Sequence, residues 1–474
     1  MSIETFLLMR NELSLIGVIL LLLIGEIFMN NKKLLINITI TLFIIHTIIG
    51  FLSIDTGMLF GGSFRTNNLV HFFKIVLNVG VIIILLQTND WIKDKLILEN
   101  KSIEFYLLLF ATLLGMYYMI SAGDFLMLFI GVELATIPTA ALVAFETSKQ
   151  KSAEAGIKFI LSAALATGVS LFGISILYAS AGSIYFSEVS LILTNTSLTV
   201  LGFLFFFAGI AFKVSLVPFH FWTADTYEGA PISVASYLSV ISKGSAVFVM
   251  IMLLFTVFKS LFDIWEYLIY GLAIATMFIG NLFALRQQNI KRFLAYSSIA
   301  QAGFILLGMI SNSKLGITTV IYFSAIYIFS NLAAFGVAQS ISLKTGKENI
   351  DDYTGLYRTN PKLSLVMLMA LFSLAGIPPV AGFFGKFFLF TAAASKGHYL
   401  LVFIAVINVT ISLYYYLLVV RAMFLRRSKN AIPFYRNSLS VKAGLLLAVV
   451  GIFVIGLYSP IYTYIHEISN FIFK

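Results

Sequence analysis

The chain has 474 residues, of which 60% are hydrophobic and only 11% are charged. A soluble domain carries about 25% charged residues, so this composition excludes a water-soluble globule and indicates a polytopic membrane protein. The sequence contains no cysteine, which excludes disulfides, iron–sulfur clusters and thiol chemistry from this chain.

Long apolar stretches follow one another along the chain, and each is long enough for a helix that crosses the bilayer, which needs about 20 apolar residues. The first is expected to be a retained helix, because no basic segment and cleavage site accompany it. The fourteen predicted spans are 12–30, 33–52, 68–88, 103–120, 123–145, 153–180, 198–220, 231–257, 264–285, 289–311, 315–342, 362–395, 399–424 and 443–467.

The basic residues are distributed unevenly between the two sides of these spans. Loops after odd-numbered spans carry 19 of the 31 Lys and Arg residues, whereas the opposite side, including both termini, carries 6. By the positive-inside rule the odd loops face the cytoplasm and both termini face outward. The net charge of +10 is therefore expected to reflect cytoplasmic loops at a lipid bilayer and no nucleic-acid partner.

Charged residues also lie inside the predicted spans, where insertion of each costs about 2.5–3.5 kcal/mol. Glu133 occupies the middle of the fifth span. A structural role alone is a weak explanation for so many buried charges. The basic residues within spans are Lys74, Lys158, Lys213, Lys243, Lys386 and Arg421.

Two spans contain proline close to one of these lysines. In the seventh span Pro218 follows Lys213, and in the twelfth Pro378 and Pro379 precede Lys386. A proline within a span frees carbonyls, which is tolerated where the break lines a polar cavity. The pairing predicts two inverted five-helix repeats, helices 4–8 (residues 103–257) and 9–13 (258–426). Residues 1–102 then form helices 1–3 and residues 427–474 contain helix 14.

Six short motifs occur in the order found in one membrane family, and the chain resembles the antiporter-like membrane subunits of respiratory complex I and the related Mrp-type antiporters. The resemblance covers residues 105–425. The motifs are Gly131-Val-Glu133-Leu, Ser152-Ala-Glu154-Ala-Gly-Ile-Lys158, Phe212-Lys213-Val-Ser-Leu-Val-Pro218-Phe-His220-Phe-Trp222 with Tyr227-Glu-Gly-Ala-Pro231, Gly280-Asn281-Leu, Asn289-Ile-Lys291-Arg292 and Gly376 to Lys386.

The resemblance distinguishes among the three antiporter-like types of complex I. The length of 474 residues leaves no room for the long lateral helix that marks one of these types. Lys386 argues against a second type, which has glutamate at the corresponding position. The remaining type, with neither feature, is therefore expected. The resemblance implies a non-redox subunit of a proton-pumping NADH:quinone oxidoreductase, with FMN, iron–sulfur clusters and quinone on other subunits and no cofactor in this chain. Its expected partners are other membrane-arm subunits, including antiporter-like neighbours.

Buried lysines suit proton transfer, because a low-dielectric interior makes a lysine release its proton more readily and a nearby carboxylate holds the proton in place. The resemblance implies that Glu133 and Lys213 form such a pair, that Lys243 is the central relay, and that Lys386 passes protons to the outer side. The competing interpretation is a structural ion pair between Glu133 and Lys213 that fixes helix packing.

Other residues are open to two interpretations. Lys158 either carries protons or extends to the cytoplasmic surface. His220, two turns after Lys213, either passes protons or satisfies carbonyls freed by the helix break. Lys74 and Arg421 are expected to reach span ends or contact other subunits. The aromatic residues expected to serve packing are Trp222, Tyr414, Tyr415 and Tyr416.

These observations predict a translocase subunit in a bacterial cytoplasmic membrane that moves protons outward, driven by quinone reduction elsewhere. Three alternatives remain open at this point. They are a Mrp-type cation/proton antiporter, the equivalent subunit of a hydrogenase or ferredoxin-driven complex, and a scaffold in which the charges only orient helices. The electron donor, the quinone and the choice between H⁺ and Na⁺ are not specified by the sequence.

Overall fold

The computed structural model describes residues 6–52, 56–97, 100–427 and 431–472. Within these ranges, thirteen helices are long and apolar enough to cross a membrane, and two shorter apolar helices form the halves of a further span. The prediction of an all-α polytopic membrane protein with 14 spans is confirmed, and helices 7 and 12 are broken as expected.

We number the helices by span and mark the halves of broken spans a and b. They are α1 Arg10–Phe28, α2 Lys32–Phe51, α3 Asn68–Trp91, α4 Ser102–Ile120, α5 Phe125–Val143, α6 Gln150–Ala181, α7a Ser197–Val214, α7b Phe221–Gly229, α8 Ile232–Thr256, α9 Phe262–Ala284, α10 Ile290–Met309, α11 Lys314–Thr345, α12a Pro361–Ala375, α12b Ala381–Ala394, α13 Tyr399–Phe424 and α14 Leu439–Leu457.

Polar residues before the apolar stretches determine where several helices begin. The side chain of Asn67 accepts a hydrogen bond from the amide of Val70 at 2.9 Å, and that of Asp124 accepts from Met127 at 2.6 Å. Such caps satisfy amides that the first turn leaves without a partner. Along the rest of each span the helix satisfies its own backbone, as a lipid environment requires.

The helices differ strongly in how much of their surface the protein itself covers. The most apolar stretch of α11 is wholly buried and that of α10 is 94% buried, whereas that of α6 is only 17% buried. The helices α8, α10 and α11 therefore form the centre of the bundle. The buried polar side chains considered below lie mainly on and around these central helices.

The connection between α2 and α3 contains the two strands of the described part of the chain, Gly57–Leu59 (β1) and Phe64–Thr66 (β2). They pair antiparallel, with Met58 opposite Arg65. The amide of Arg65 donates to the carbonyl of Ser121 at 2.7 Å. The hairpin therefore covers the end of α4, which hydropathy alone did not predict.

In two predicted spans the helix stops before the predicted end of the span. The last, predicted over 443–467, stops at Leu457, and a separate helix Pro460–Ile468 follows. Proline has no amide to donate and its ring clashes with the preceding turn, so Pro460 starts a new helix. The seventh, predicted over 198–220, is helical only to Val214 before its break.

Candidate functional site

The break in helix 7 places Lys213 at the carboxyl end of a half-helix. α7a ends at Val214, and Ser215 adopts a left-handed conformation with φ of 66°. The indole N–H of Trp222 donates at 3.0 Å to the carbonyl of Phe212, which also accepts from the amide of Ser215 at 3.0 Å. Trp222 thus has a specific polar role beyond the packing role that was predicted. The partial negative charge of the helix end favours a cation at Lys213.

Lys213 and Glu133 face each other at a distance longer than an ion pair. The Lys213 ammonium lies 3.4 Å from the carbonyl oxygen of Val132 and within electrostatic reach of the Glu133 carboxylate. Among the residues that the structure describes, Glu133 makes no direct ion pair, and its side chain is partly exposed at the surface of α5. The two groups attract each other without direct contact in this arrangement.

A small, mostly apolar cavity on one side of Lys213 contains several hydroxyl groups in its lining. Its lining includes the hydroxyls of Thr136 and Thr139 from α5, Thr167 from α6 and Ser242 from α8. Hydroxyl groups both donate and accept hydrogen bonds, so they suit water molecules. Ser242 brings α8 into the lining of this cavity, whereas Lys243 itself does not line it.

Lys243 follows an irregular turn of α8. Residues Leu238–Ser242 form a π-helical turn, a feature that is frequent at functional sites. Lys243 is 2% exposed, and its ammonium donates to the hydroxyl of Ser298 at 2.9 Å and to the carbonyl of the same residue at 3.3 Å. Its charge is therefore solvated by α10 rather than by a carboxylate.

The break in helix 12 is likewise occupied by a lysine. Lys386 is 3% exposed, and its ammonium donates to the last two carbonyls of α12a, Leu374 at 2.8 Å and Ala375 at 3.1 Å. It also lies 4.7 Å from the ring centre of Phe304, close enough for a cation–π contact. As in helix 7, a cation stands at the carboxyl end of a half-helix.

Side chains of α10 and α13 connect the surroundings of the second and third lysines. The hydroxyls of Ser297 and Tyr416 are 2.5 Å apart, and the Gln301 amide donates to Tyr416 at 3.2 Å and to the carbonyl of Leu374 at 3.0 Å. Ser297 adjoins the hydroxyl partner of Lys243. The packing role predicted for Tyr416 is therefore incomplete, because its hydroxyl belongs to a buried polar network.

Lys158 lies in an exposed network of charges at one end of the bundle. Its ammonium is 2.8 Å from Asp225 and 2.7 Å from Glu154, and Arg292 contacts both Asp225 at 2.6 Å and Glu228 at 3.0 Å. Burial favours a higher pKa for Asp225, but the hydrogen bonds from Lys158 and Arg292 hold that pKa below its ordinary value. The sequence motifs contained Lys158, Glu154 and Arg292, but nothing in the sequence predicted that these residues meet Asp225 and Glu228.

The sequence spacing placed His220 two turns after Lys213 on one helix. The helix breaks between the two residues, so they do not share a continuous helix face. His220 is 7% exposed just before α7b and interacts with the Pro218 carbonyl, as the second interpretation expects, although its Nδ1 makes no well-oriented hydrogen bond to a described residue. Buried polar atoms without a partner normally contact water. Other hydroxyl groups near this break are also buried and make no well-oriented hydrogen bond to a described residue. They belong to Ser215, Thr223, Thr226, Tyr227 and Ser233.

The sequence interpretation missed one charged group and misplaced another. Lys74 was expected near a span end, but it is 1% exposed and pairs with Glu12, which is 0% exposed. Glu12 was overlooked because it stands at the start of the first apolar stretch, where a solvated carboxylate is usual. Arg421, by contrast, is exposed on α13.

The described residues hold no group of three or more His, Cys, Asp or Glu side chains suited to a metal ion. The side chains gathered here supply ammonium and imidazole groups that titrate, and hydroxyl and amide groups that form hydrogen bonds.

Comparison with known proteins gives a consistent family. The family described as NADH:quinone oxidoreductase/Mrp antiporter, transmembrane region, matches residues 122–412. The chain is 48% identical over 480 residues to NADH-quinone oxidoreductase subunit N of Azobacteroides pseudotrichonymphae, with 99% of each chain covered. It is 47% identical over 465 residues to the subunit N of Phocaeicola vulgatus, with 98% of each covered.

The fold comparison agrees with the sequence comparison. A chain of respiratory complex I from Thermus thermophilus superposes with a TM-score of 0.78 at 26% identity. The match covers 95% of this chain and 97% of that one.

Proposed function

Because this chain belongs to the subunit N group of the NADH:quinone oxidoreductase/Mrp antiporter family, we propose that it translocates protons through its buried lysines. It is a multi-pass membrane subunit of a quinone oxidoreductase complex. The observation that best supports the proton route is the hydrogen-bonded connection from Ser297 through Tyr416 and Gln301 to the carbonyl that also binds Lys386.

The first step of the proposed route is control of the Lys213 proton by Glu133. The two groups attract each other without direct contact. Approach of the carboxylate stabilises the charged lysine, and its withdrawal favours release of the proton. Glu133 is partly exposed on α5, so we propose that a charge in an adjacent subunit draws it away from Lys213 during turnover.

The next steps carry the proton to Lys243 and Lys386. The cavity beside Lys213, which Ser242 of α8 also lines, would hold water on the proposed path from Lys213 toward Lys243. Lys243 then transfers its proton through Ser298 and the network on α10 to Lys386. The hydrogen bonds cover only parts of this route, so the proposal includes water molecules that complete the transfers between Ser298 and Ser297 and beside the Leu374 carbonyl.

Uptake is proposed to occur at the charged network around Asp225 and Lys158. Buried hydroxyls of Thr223 and Thr226 on α7b, the helix that also carries Asp225, have no hydrogen-bond partner among the described residues, and His220 directly precedes this helix. Water at these atoms would connect the aqueous surface with Lys213. In this scheme Lys158 and His220 act at the cytoplasmic end of the route.

The remaining assignments follow from the same proposal. Both termini face the outer side of a bacterial cytoplasmic membrane, helices 4–8 and 9–13 act as two inverted repeats, and other membrane-arm subunits adjoin this one. The redox groups lie on those other subunits, and quinone reduction there drives the movement of charge. A Mrp-type antiporter, which shares the fold, would instead exchange cations without an electron donor.

The test is NADH-driven, uncoupler-sensitive proton uptake by inverted membrane vesicles that carry Lys213→Ala. We expect proton uptake and NADH oxidation to fall together by at least tenfold while the complex remains assembled. Lys396→Ala, at an exposed lysine between α12b and α13, serves as the matched control. Normal pumping by the Lys213→Ala complex would contradict the proposal, and sodium-driven exchange without NADH would favour the antiporter.

A further inference from the structure

A second group of buried polar side chains lies among α1–α4, apart from the three lysines. We call it the outer cluster, and it consists of Glu12, His46, Lys74, Asn78, Tyr117 and Ser121. These residues come from four different helices and from the segment directly after α4. All six are buried, and the hairpin of β1 and β2 covers the end of the bundle beside them.

The centre of the outer cluster is an ion pair between Lys74 and Glu12. The Lys74 ammonium also donates to the hydroxyl of Ser121 at 2.6 Å, and it lies 5.4 Å from the ring centre of Phe64 in the hairpin. One carboxylate oxygen of Glu12, Oε2, is fully buried and has no partner among the described residues. That oxygen retains the capacity to accept a proton or a water molecule.

A set of hydrogen-bonded side chains lies beside the pair and contacts it through the ring of Tyr117. The ring of Tyr117 lies 5.5 Å from the Lys74 ammonium, and its hydroxyl donates to the Asn78 side chain. His46 approaches the Tyr117 hydroxyl at 3.1 Å and, through Nδ1, the hydroxyl of Ser14 at 2.7 Å. The imidazole, phenol and hydroxyl groups among them can each donate and accept hydrogen bonds.

The helix that carries Tyr117 also contacts the span of the central lysine. The hydroxyl of Tyr237 on α8 is 2.8 Å from that of Thr112 on α4. Tyr237 stands on the same span as Lys243, less than two turns before it. The other titratable groups beside the pair are Tyr118, which is close to Glu12, and Arg10 and His71. Arg10 adjoins Asn11 in the sequence, and His71 is hydrogen-bonded to the Asn11 side chain.

Helix packing alone is a poor explanation for this pair. Removing two charges from water costs several kcal/mol each, and apolar residues of similar volume often replace such a pair without loss of stability. Ionisable residues within membrane helices usually carry ions or protons. The unpartnered oxygen of Glu12 and the neighbouring imidazole, phenol and hydroxyl groups distinguish this site from an ion pair that only stabilises helix packing.

From these observations we propose that Glu12 and Lys74 form a second proton-exchange site near the outer end of the bundle. This proposal rests on the proton translocation proposed above. Transfer of one proton from the Lys74 ammonium to the Glu12 carboxylate converts the charged pair into a neutral amine and a neutral acid. The acid then releases its proton toward the outer side, and a proton arriving from the protein interior recharges the amine.

The decisive variant is Lys74→Arg, because arginine preserves the charge and the pairing but does not deprotonate in proteins. We expect the assembled Lys74→Arg complex to pump protons and oxidise NADH at least fivefold more slowly than the wild type. Lys32→Arg is the matched control, since Lys32 forms a lysine–glutamate pair with Glu26 at 2.6 Å that is partly exposed. It should leave both rates unchanged.

A second variant covers the case in which arginine does not fit. The neutral pair Glu12→Gln with Lys74→Met keeps similar volumes and removes both titratable groups, so we expect assembly with the same slow pumping. Wild-type rates in either variant, or failure of both to assemble, would overturn the proposal in favour of a packing role. If Lys213→Ala abolishes pumping while Lys74→Arg pumps normally, only the outer site is wrong.

Discussion

The ammonium of Lys386 and the carbonyl oxygen of Leu374 are 2.8 Å apart, across the break in helix 12. The same oxygen accepts a hydrogen bond from the Gln301 amide at 3.0 Å. One backbone carbonyl freed by the break therefore joins the last lysine of the proposed route to the network on α10. The break is the element that makes this contact possible, because a continuous helix would use that carbonyl internally.

Replacement of Lys386 tests both roles of this contact. Lys386→Met leaves two buried carbonyls without their cation, so we expect loss of pumping and destabilisation of about 1–3 kcal/mol. Lys386→Arg retains a cation at the carbonyls but no releasable proton, so it should recover thermal stability without recovering pumping. Proton uptake by vesicles and the unfolding midpoint of the purified complex provide the readouts. Wild-type pumping by Lys386→Arg would exclude a proton-carrying role.

Two neighbouring tyrosines offer a matched test of the link on α10. Tyr416 is 1% exposed and bonds Ser297 and Gln301, whereas Tyr414 is 60% exposed. We expect Tyr416→Phe to slow proton uptake about three- to tenfold, because it removes a hydroxyl from the middle of the network. Tyr414→Phe should have no effect. Equal rates for the two variants would mean that protons bypass this link.

The hydroxyl of Ser298 is expected to matter because it receives the Lys243 ammonium at 2.9 Å. Ser298→Ala leaves only the backbone carbonyl as partner, so we expect pumping to fall about three- to tenfold with normal assembly. The control is Thr391→Ala, because the exposed Thr391 hydroxyl bonds only its own helix backbone. An unchanged rate in Ser298→Ala would place the Lys243 proton on another path.

Glu133→Gln should separate function from stability. Since Glu133 makes no direct ion pair among the described residues, its neutralisation is expected to leave the unfolding midpoint of the complex unchanged. Proton uptake should nevertheless fall severalfold, because the glutamine no longer attracts the Lys213 ammonium. A variant that pumps at the wild-type rate would support the scaffold interpretation, in which these charges only orient helices.

The charged network around Asp225 predicts a dependence of stability on pH. The pKa of Asp225 in the folded protein is lowered, so its contribution is present above the ordinary aspartate pKa of about 3.9 and is lost as pH falls below it. We expect Asp225→Asn to cost at most about 1 kcal/mol near pH 7, because the network is partly exposed. Unfolding midpoints of both forms should converge between pH 5 and about pH 3. A difference that persists at the acid end would contradict this assignment.

The sequence by itself determined the number of spans, the two helix breaks and the presence of Lys213, Lys243 and Lys386 near the middle of their spans. These features follow from local composition, because about 20 apolar residues define a span and proline disfavours a continuous helix, although Pro138 is accommodated within α5. The family motifs were equally local, and the comparisons confirmed the family that they indicated.

The tertiary structure alone decided which of these groups meet. Glu12 and Lys74 are 62 positions apart, and Ser297 and Tyr416 are 119 apart. No periodicity within one span shows which face of it meets another, and nearly every face here is apolar. Burial of a charge among apolar helices depends on the packing of distant segments. That packing paired Lys74 with Glu12 and left Glu133 without a direct partner among the described residues.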